Sequence, residues 1–166
     1  MDDRALVEAQ LGREPRAFRR VAARCPYGLP AVTEQAPYDA DGDPFPTTYY
    51  LTCPHLVAAV SRLEAGGGVE RWSRRAQHDP ALAASLARAT EEQRRLRRKL
   101  AGDRSGRDGG SSLELGIAGA HDPANLKCLH AHVAFALARR GYELGEAILQ
   151  ELDVLWPADR CCSAPG

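Results

Sequence analysis

The sequence predicts an α+β fold: a single domain that is mostly helical and carries one small antiparallel β-hairpin or sheet. The length of 166 residues, with 44% apolar and 27% charged residues, suits one globular domain with one core. Most of the chain spaces its apolar residues as amphipathic helices do, and two short β-type segments flank a turn rich in Asp, Gly and Pro. We expect the domain to cover residues 1–160, followed by a C-terminal tail over 161–166.

The N-terminal part of the chain predicts two short helices. The stretch "DRALVEAQLGREP" has apolar residues at helical spacing, and Asp2 or Asp3 is a suitable N-cap. Gly12 and Pro15 interrupt this helix. The following stretch, "PRAFRRVAARC", is expected to resume as a helix because Pro15 is well placed at a helix start.

The next segment predicts the hairpin. "LPAVTEQAPY" is partly β-branched and bounded by prolines, and "TTYYLTC" is rich in Thr and Tyr, the composition typical of strands. The loop between them, residues 41–46, contains Asp-Gly and two prolines, which favour a turn. We therefore expect the two segments to pair as antiparallel strands.

Helices are predicted over most of the remaining chain. Pro54 begins "PHLVAAVSRLEAGGG", which three glycines end, and "VERWSRRAQ" follows as a short helix. Asp79 and Pro80 begin the long helix "DPALAASLARATEEQRRLRRKLA". The stretch "GDRSGRDGGSS" is either a flexible linker or an ordered surface loop.

Two further helices are expected near the C-terminus. "HDPANLKCLHAHVAFALARRG" predicts a helix capped near Asp122, with Pro123 at its start and Gly141 at its end. The hairpin is expected to dock on residues 124–140 of this helix. "ELGEAILQELDVLWP" predicts the last helix of the domain.

Charge and hydropathy argue against several classes of partner. Lys and Arg together number 22, as do Asp and Glu, so the formal net charge is zero and no overall field favours nucleic acid or an acidic membrane. No apolar run approaches the roughly 18 residues that a membrane span needs, and the N-terminus lacks the apolar region of a secretory signal. We therefore expect a reducing cytoplasm, where the five cysteines are free, catalytic or metal-bound.

Four residues form the predicted metal site. Cys25 and Cys53 each precede a proline, and the hairpin between them is expected to bring its two ends together. Cys128 and His132 are four residues apart, so they share one face of the predicted helix. Together they make a Cys₃His set, which suits Zn²⁺ and would also suit an Fe–S cluster.

Other interpretations of the same residues remain open. The chain has no CxxC motif, so Cys128 and His132 are also explained as members of a buried core. A cysteine could instead be a nucleophile with His130 or His132 as its base. On a regular helix, His130 points away from His132. His55 and the tail cysteines, Cys161 and Cys162, are possible extra ligands.

A second possible site precedes the same helix. In "GIAGAHDPANLK", Gly116 and Gly119 offer backbone N–H groups near a predicted helix start, and Lys127 adds a positive charge. These features predict a pocket for a small anionic ligand. The spacing is not that of a P-loop, and a tight glycine turn packed against the sheet is the preferred explanation of the glycines.

The stretches "CPYGLPAVTE", "DGDPFPTTYYLTCPHL" and "LKCLHAHVAFALA" resemble the bacterial family DUF501, over roughly residues 5–157. The resemblance implies a cytoplasmic bacterial protein of actinobacterial type. It also hints at a division-related protein partner, because such genes tend to lie beside genes for a small septum-formation protein and an exopolyphosphatase-like protein. It implies no reaction.

Two classes of function follow from these observations. The protein is either a thiol- or metal-dependent enzyme that acts on a small anionic substrate, or a binding protein whose metal only stabilises the fold. An open coordination position would favour the enzyme, and a saturated one the structural role.

Overall fold

The computed structural model describes residues 2–152 and 155–159, which form a three-stranded antiparallel sheet and a set of helices packed around it. The α+β fold class predicted from the sequence is confirmed. In chain order the elements are α1 (Asp3–Leu11), β1 (Phe18–Arg24), β2 (Pro30–Gln35), β3 (Tyr49–Leu51), α2 (Pro54–Ala65), α3 (Gly68–His78), α4 (Pro80–Ala101), two 3₁₀ turns (Ser111–Glu114 and Ile117–Gly119), α5 (His130–Ala138) and α6 (Glu143–Gln150).

The predicted hairpin forms two of the three strands of the sheet, β2 and β3. β2 lies between β1 and β3, and Thr33 of β2 pairs with Tyr50 of β3. All six residues of β2 are buried, because the strand is flanked on both sides and covered by helices. β3 is an edge strand, and its residues reach the cavity described below.

The second predicted helix is wrong, because residues 18–24 form the strand β1. This strand pairs antiparallel with β2, with Val21 opposite Thr33, and its register is irregular at three points. Its residues are only partly buried or exposed. The hydrogen bonds offered by the buried strand β2 therefore decide the conformation of a segment whose own pattern is ambiguous.

The helices predicted between residues 54 and 101 are confirmed. Asp79 caps α4, since its carboxylate accepts hydrogen bonds from the backbone N–H groups of Ala81 and Leu82. The stretch after α4 is an ordered loop in which Asp108 accepts from the N–H groups of Gly110 and Ser112. None of the helices in residues 2–152 and 155–159 has the length and apolar character that crossing a membrane requires.

The predicted start of α5 is wrong by several residues. The helix begins at His130, and Asp122 caps only an isolated turn, in which it accepts from the N–H of Ala124. Residues 122–129 are irregular, and Leu126 and Leu129 anchor them in the core. Cys128 therefore precedes the helix, and the four-residue spacing that placed it on one face with His132 does not apply.

Helix α5 occupies the centre of the molecule. The ring of Phe135 packs edge-on against Tyr49 of β3, with ring centres 5.3 Å apart, and against Tyr142, at 5.2 Å. Edge-to-face packing of this kind adds to the apolar burial of the rings. The start of α5 is thereby fixed beside the end of α2 and the edge strand β3.

Candidate metal centre

Three side chains of different types meet where α2 ends and α5 begins. Glu64 lies in the last turn of α2, Cys128 lies two residues before α5, and His130 is the first residue of α5. One donor atom from each residue lies within 4.8 Å of the other two. Within residues 2–152 and 155–159, no other group of three such donors lies this close together.

Glu64 connects the two helices through both of its carboxylate oxygens. Its Oε2 accepts a hydrogen bond from the backbone N–H of Leu129, at 2.7 Å, and so satisfies a donor at the start of α5. Its Oε1 lies 3.3 Å from Nδ1 of His130. The carboxylate is therefore held in place beside the histidine ring.

The other side of the His130 ring fixes its tautomer. Nε2 lies 3.3 Å from the carbonyl oxygen of Val57 and 3.2 Å from Oγ of Ser61, both on α2. Because a carbonyl oxygen can only accept, Nε2 carries a proton and donates it to Val57. Nδ1 is then the nitrogen that offers a lone pair to a metal ion.

The arrangement of His130 and Glu64 requires a positive charge between them. An unprotonated Nδ1 would place its lone pair against a carboxylate oxygen, which is repulsive unless a proton or a metal ion lies between the two atoms. A hydrogen bond with Cys128 raises the pKa of His130, burial lowers it, and the charge of Glu64 raises it, so that the pKa lies above its ordinary value. A protonated imidazole ring in an ion pair with Glu64 meets this requirement, and so would a metal ion bound by both side chains.

A cavity of about 590 Å³ opens beside the cluster, with Cys128 and His130 in its wall. Its remaining wall comes from the end of α1, from β3 and from the start of α2, and is mainly apolar. Pro54 and Ala58 are exposed to solvent at its rim. Among the described residues that line it, none is Asp, Glu, Lys or Arg. The cluster therefore faces an accessible space with few charges.

The residues of the predicted Cys₃His set have different surroundings. Cys25 is buried after β1, and its N–H donates to the carbonyl of Leu29. Cys53 is fully buried at the N-cap of α2. Of the four predicted ligands, only Cys128 belongs to the cluster. Metal binding by Cys25, Cys53, Cys128 and His132 together stays a prediction, which the zinc content of purified protein would test.

His132 lies on the opposite side of α5 from His130, within the core. Its side chain is almost completely buried, and its Nδ1 lies 2.6 Å from the hydroxyl of Tyr142. Burial lowers the pKa of His132 to about 4, so the ring is neutral at neutral pH. Burial also raises the pKa of Tyr142, which therefore keeps its proton.

The glycines of the predicted anion pocket use their N–H groups within their own turn. The N–H of Gly116 donates to the carbonyl of Ala120, and that of Gly119 donates to Gly116. The sequence also allowed a tight turn here, and these bonds describe one. An anion-binding role therefore has no support from these two donors, although Lys127 is exposed nearby.

The remaining predicted ligands lie away from the cluster or outside the described residues. His55 is half-buried in the first turn of α2. Cys161 and Cys162 lie outside the described residues, as do residues 153 and 154 of the predicted last helix.

The sequence did not indicate Glu64 as a ligand, and the predicted metal site did not include His130. On a regular helix, His130 would point away from His132, so the sequence predicts it only as a possible base. Its partner Cys128 precedes the helix, however, where residues two apart can approach one another. A Cys-x-His pair at a helix start is the signal that could have found this half of the cluster. Glu64 gives no local signal, because its contact depends on how α2 packs against α5.

Comparison with known proteins places the chain in one family. Residues 21–150 match the model of the family described as a protein of unknown function, DUF501. No curated protein matches the chain, and no solved structure does. The match covers well over half of the sequence and includes all three residues of the cluster, so the chain belongs to the DUF501 family.

Proposed function

We propose that Glu64, Cys128 and His130 bind one Zn²⁺ ion, whose fourth position faces the cavity and holds a water molecule. The observation that carries the proposal is the distance of 3.3 Å between Nδ1 of His130 and Oε1 of Glu64. Two ligand atoms that each lie about 2.0–2.1 Å from a tetrahedral zinc ion are about 3.3 Å apart. The pair is therefore already spaced as two zinc ligands.

The chemistry of the donors favours zinc over an Fe–S cluster. Thiolate, imidazole and carboxylate are the three ligand types that zinc takes from proteins. Fe–S clusters depend on several cysteine thiolates, and the group has only Cys128. The hydrogen bond from Nε2 of His130 to Val57 is the kind of outer contact that orients a metal-bound histidine.

An open site of this kind supports catalysis rather than a purely structural role. Three protein ligands and a water molecule are the arrangement of catalytic zinc sites, in which the ion makes the water acidic enough to act as a nucleophile near neutral pH. The Glu64 and His130 side chains are 24% and 26% exposed, so water can reach the ion. The proposed activity is therefore metal-assisted hydrolysis of a compound that enters the cavity.

Cobalt substitution tests both the ligands and the open position. Co²⁺ bound through Cys128 is expected to show a thiolate-to-cobalt charge-transfer band, which Cys128→Ser abolishes. Addition of azide is expected to shift the visible bands by replacing the bound water. Visible bands that stay unchanged after azide is added would indicate a structural site with all four positions filled by the protein. A charge-transfer band that persists in Cys128→Ser would contradict the assignment of Cys128 as a ligand.

A thiol-dependent activity is the second candidate, and the contact between Cys128 and His130 supports it. A neighbouring imidazolium stabilises a thiolate, and the thiolate is the reactive form of cysteine. Iodoacetamide is then expected to modify Cys128 faster in the unaltered metal-free protein than in the metal-free variant His130→Ala. If bound zinc does not slow this modification, the thiol rather than the metal is the reactive group.

The other expectations from the sequence stay predictions. A division-related protein partner, a cytoplasmic location and the absence of nucleic-acid binding follow from the resemblance and the composition. The small anionic substrate is less well supported at this cavity, because none of the described lining residues is Lys or Arg.

A further inference from the structure

An exposed arginine beside the cavity has no carboxylate partner among the described residues. Arg13 follows Leu11, a lining residue, by two positions, after the turn at Gly12 that ends α1. The other arginines of residues 2–24 each form an ion pair with Asp or Glu, namely Arg4, Arg16, Arg19, Arg20 and Arg24. In the part of the chain that the structure describes, the Arg13 guanidinium hydrogen-bonds only to a tyrosine hydroxyl. Its charge is therefore available to an anionic ligand.

That hydroxyl belongs to Tyr50, which lines the cavity. Nη2 of Arg13 donates to Oη of Tyr50 at 3.4 Å, in a hydrogen bond that is exposed to solvent. Because the phenolic oxygen accepts this hydrogen bond, its own proton can be donated to another group. The half-buried ring of Tyr50 packs edge-on against Phe45, with ring centres 6.3 Å apart, and this contact helps to hold the hydroxyl in place. Two donors of different type therefore lie side by side where a ligand can reach them.

The rest of the cavity wall restricts where a ligand can carry charge. Side chains such as Leu11, Val57 and Ala131 make most of the lining apolar. Since no described lining residue is Lys or Arg, an anionic group deep in the cavity would lose its hydration without a compensating partner. Arg13 is not a lining residue, so it changes this balance only at the mouth, beside Tyr50. The cavity, of about 590 Å³, therefore favours a small molecule with an apolar body and its charge at one end.

We infer that the cavity binds a small monocarboxylate with an apolar body. The carboxylate accepts hydrogen bonds from the guanidinium of Arg13 and the hydroxyl of Tyr50, and the apolar body lies in the cavity. One guanidinium matches a single negative charge, and the planar fork of its N–H donors matches the two oxygens of a carboxylate. A phosphate would bring a second charge that no described lining residue neutralises. The inference rests on the proposed function for the reaction and names its class of substrate, but the contact with Arg13 does not itself need the metal ion.

Three probes with the same phenethyl body test the inference: hydrocinnamate, hydrocinnamamide and phenethylphosphonate. The first is a carboxylate, the second is its neutral amide, and the third is a phosphonate that carries up to two charges. We expect the carboxylate to bind about tenfold more tightly than either of the others, because hydrogen bonds between charged groups are stronger than those to a neutral group. NMR titration of the full chain measures binding, first after treatment with EDTA, since a bound zinc ion would itself attract an anion. Equal binding of the amide, or tighter binding of the phosphonate, would overturn the inference.

Variants at the mouth provide the matched controls. Arg13→Gln is expected to weaken hydrocinnamate binding about tenfold and to leave the amide unchanged. Arg95→Gln removes the same charge from an exposed position on α4 outside the lining, and it is expected to change neither. Tyr50→Phe keeps the ring and removes the hydroxyl, so it is expected to weaken hydrocinnamate binding by a smaller factor than Arg13→Gln. The inference fails if hydrocinnamate does not bind, or if Arg13→Gln weakens its binding no more than Arg95→Gln does.

The place of the apolar body is tested at the rim of the cavity. Ala58 is an exposed lining residue of α2, so Ala58→Trp is expected to weaken the binding of both hydrocinnamate and its amide. Ala65→Trp, exposed on the same helix but outside the lining, is expected to change neither. If Ala58→Trp has no effect, the carboxylate binds at Arg13 without its body entering the cavity, and the inference is overturned.

Titrations with zinc-loaded and with EDTA-treated protein separate this inference from the proposed function. If the preference for the carboxylate and its dependence on Arg13 persist in a protein that never retains zinc, the proposed metal function fails and the inference stands. If zinc binds stoichiometrically but Arg13→Gln leaves hydrocinnamate binding unchanged, only the inference fails.

Discussion

His130 and His132 are separated by one residue on α5, yet they occupy opposite environments. His130 lies beside Glu64 and Cys128 at an open cavity, and its pKa is raised. His132 lies in the core against Tyr142, and its pKa is lowered. Two residues along a helix turn the side chain by about 200°, which leaves the two rings about 160° apart.

The difference shows what decides the state of a half-buried or buried histidine. Burial alone disfavours the charged ring, as at His132, whereas the hydrogen bond with Cys128 and the charge of Glu64 favour it at His130. The side with these partners and an open cavity is the one at which we propose a metal ion. The side without them is suited to stabilise the fold.

The largest expected effect is on zinc binding at the His130 side. Structural zinc sites with four ligands contribute about 10–16 kcal/mol, or roughly 2.5–4 kcal/mol for each ligand. Cys128→Ala is therefore expected to weaken zinc binding by about 100- to 1,000-fold, measured by competition with a chelating dye. His132→Ala serves as the control and is expected to leave zinc affinity unchanged. Equal losses in the two variants would remove the distinction between the two sides.

The next effect is on stability at the His132 side. His132→Ala leaves a cavity in the core and removes the partner of the Tyr142 hydroxyl, so we expect the free energy of unfolding to fall by about 3 kcal/mol. Urea denaturation of metal-free protein measures this change. A loss below about 1 kcal/mol would show that His132 does not support the core in this way.

The pH dependence of the free energy of unfolding also distinguishes the buried ring of His132 from that of His130. The pKa of His132 is about 4 in the folded protein and about 6.5 when unfolded, so the unfolded chain binds the additional proton between these values. The stabilisation is complete above about pH 6.5 and is lost as the pH falls towards 4, by up to about 3 kcal/mol. His132→Gln is expected to flatten this part of the profile in urea denaturation of metal-free protein, and an unchanged profile would exclude His132 as its source.

The smallest effect comes from the contacts that orient His130. Ser61 lies 3.2 Å from Nε2 but is not a proposed ligand. Loss of such an outer contact typically weakens metal binding by about 10- to 100-fold. Because the carbonyl of Val57 remains as a partner of Nε2, Ser61→Ala is expected to weaken zinc binding by only about tenfold. The same dye competition measures this loss. An effect as large as that of Cys128→Ala would contradict Nδ1 as the nitrogen that binds the ion.

Much of the fold follows from local patterns in the sequence. Asp79 and Pro80 fix the start of α4, and the turn over residues 41–46, with its Asp-Gly and two prolines, favours the hairpin of β2 and β3, because these signals act through nearby backbone groups. β1 was mistaken for a helix because its strand conformation depends on pairing with β2. The local pattern of apolar and polar residues does not indicate which other strand a segment pairs with.

The candidate site was only partly accessible to the same reasoning. The sequence pointed to "KCLHAH" and to Cys128, but the position of the ligand-type residues around it depended on where α5 begins. Leu126 and Leu129, anchored in the core, keep the preceding segment irregular, so Cys128 meets His130 rather than His132. Glu64 joins them only through the packing of α2, and it lies 64 residues before Cys128 in the chain.

The most direct test is the zinc content of protein purified without oxygen, compared between His130→Ala and Cys53→Ala. We expect one zinc ion per chain in the unaltered protein and in Cys53→Ala, and none in His130→Ala. Zinc that is lost in Cys53→Ala but kept in His130→Ala would contradict this account and would support the set of Cys25, Cys53, Cys128 and His132 instead. Absence of zinc from the unaltered protein, even after it is supplied, would contradict both.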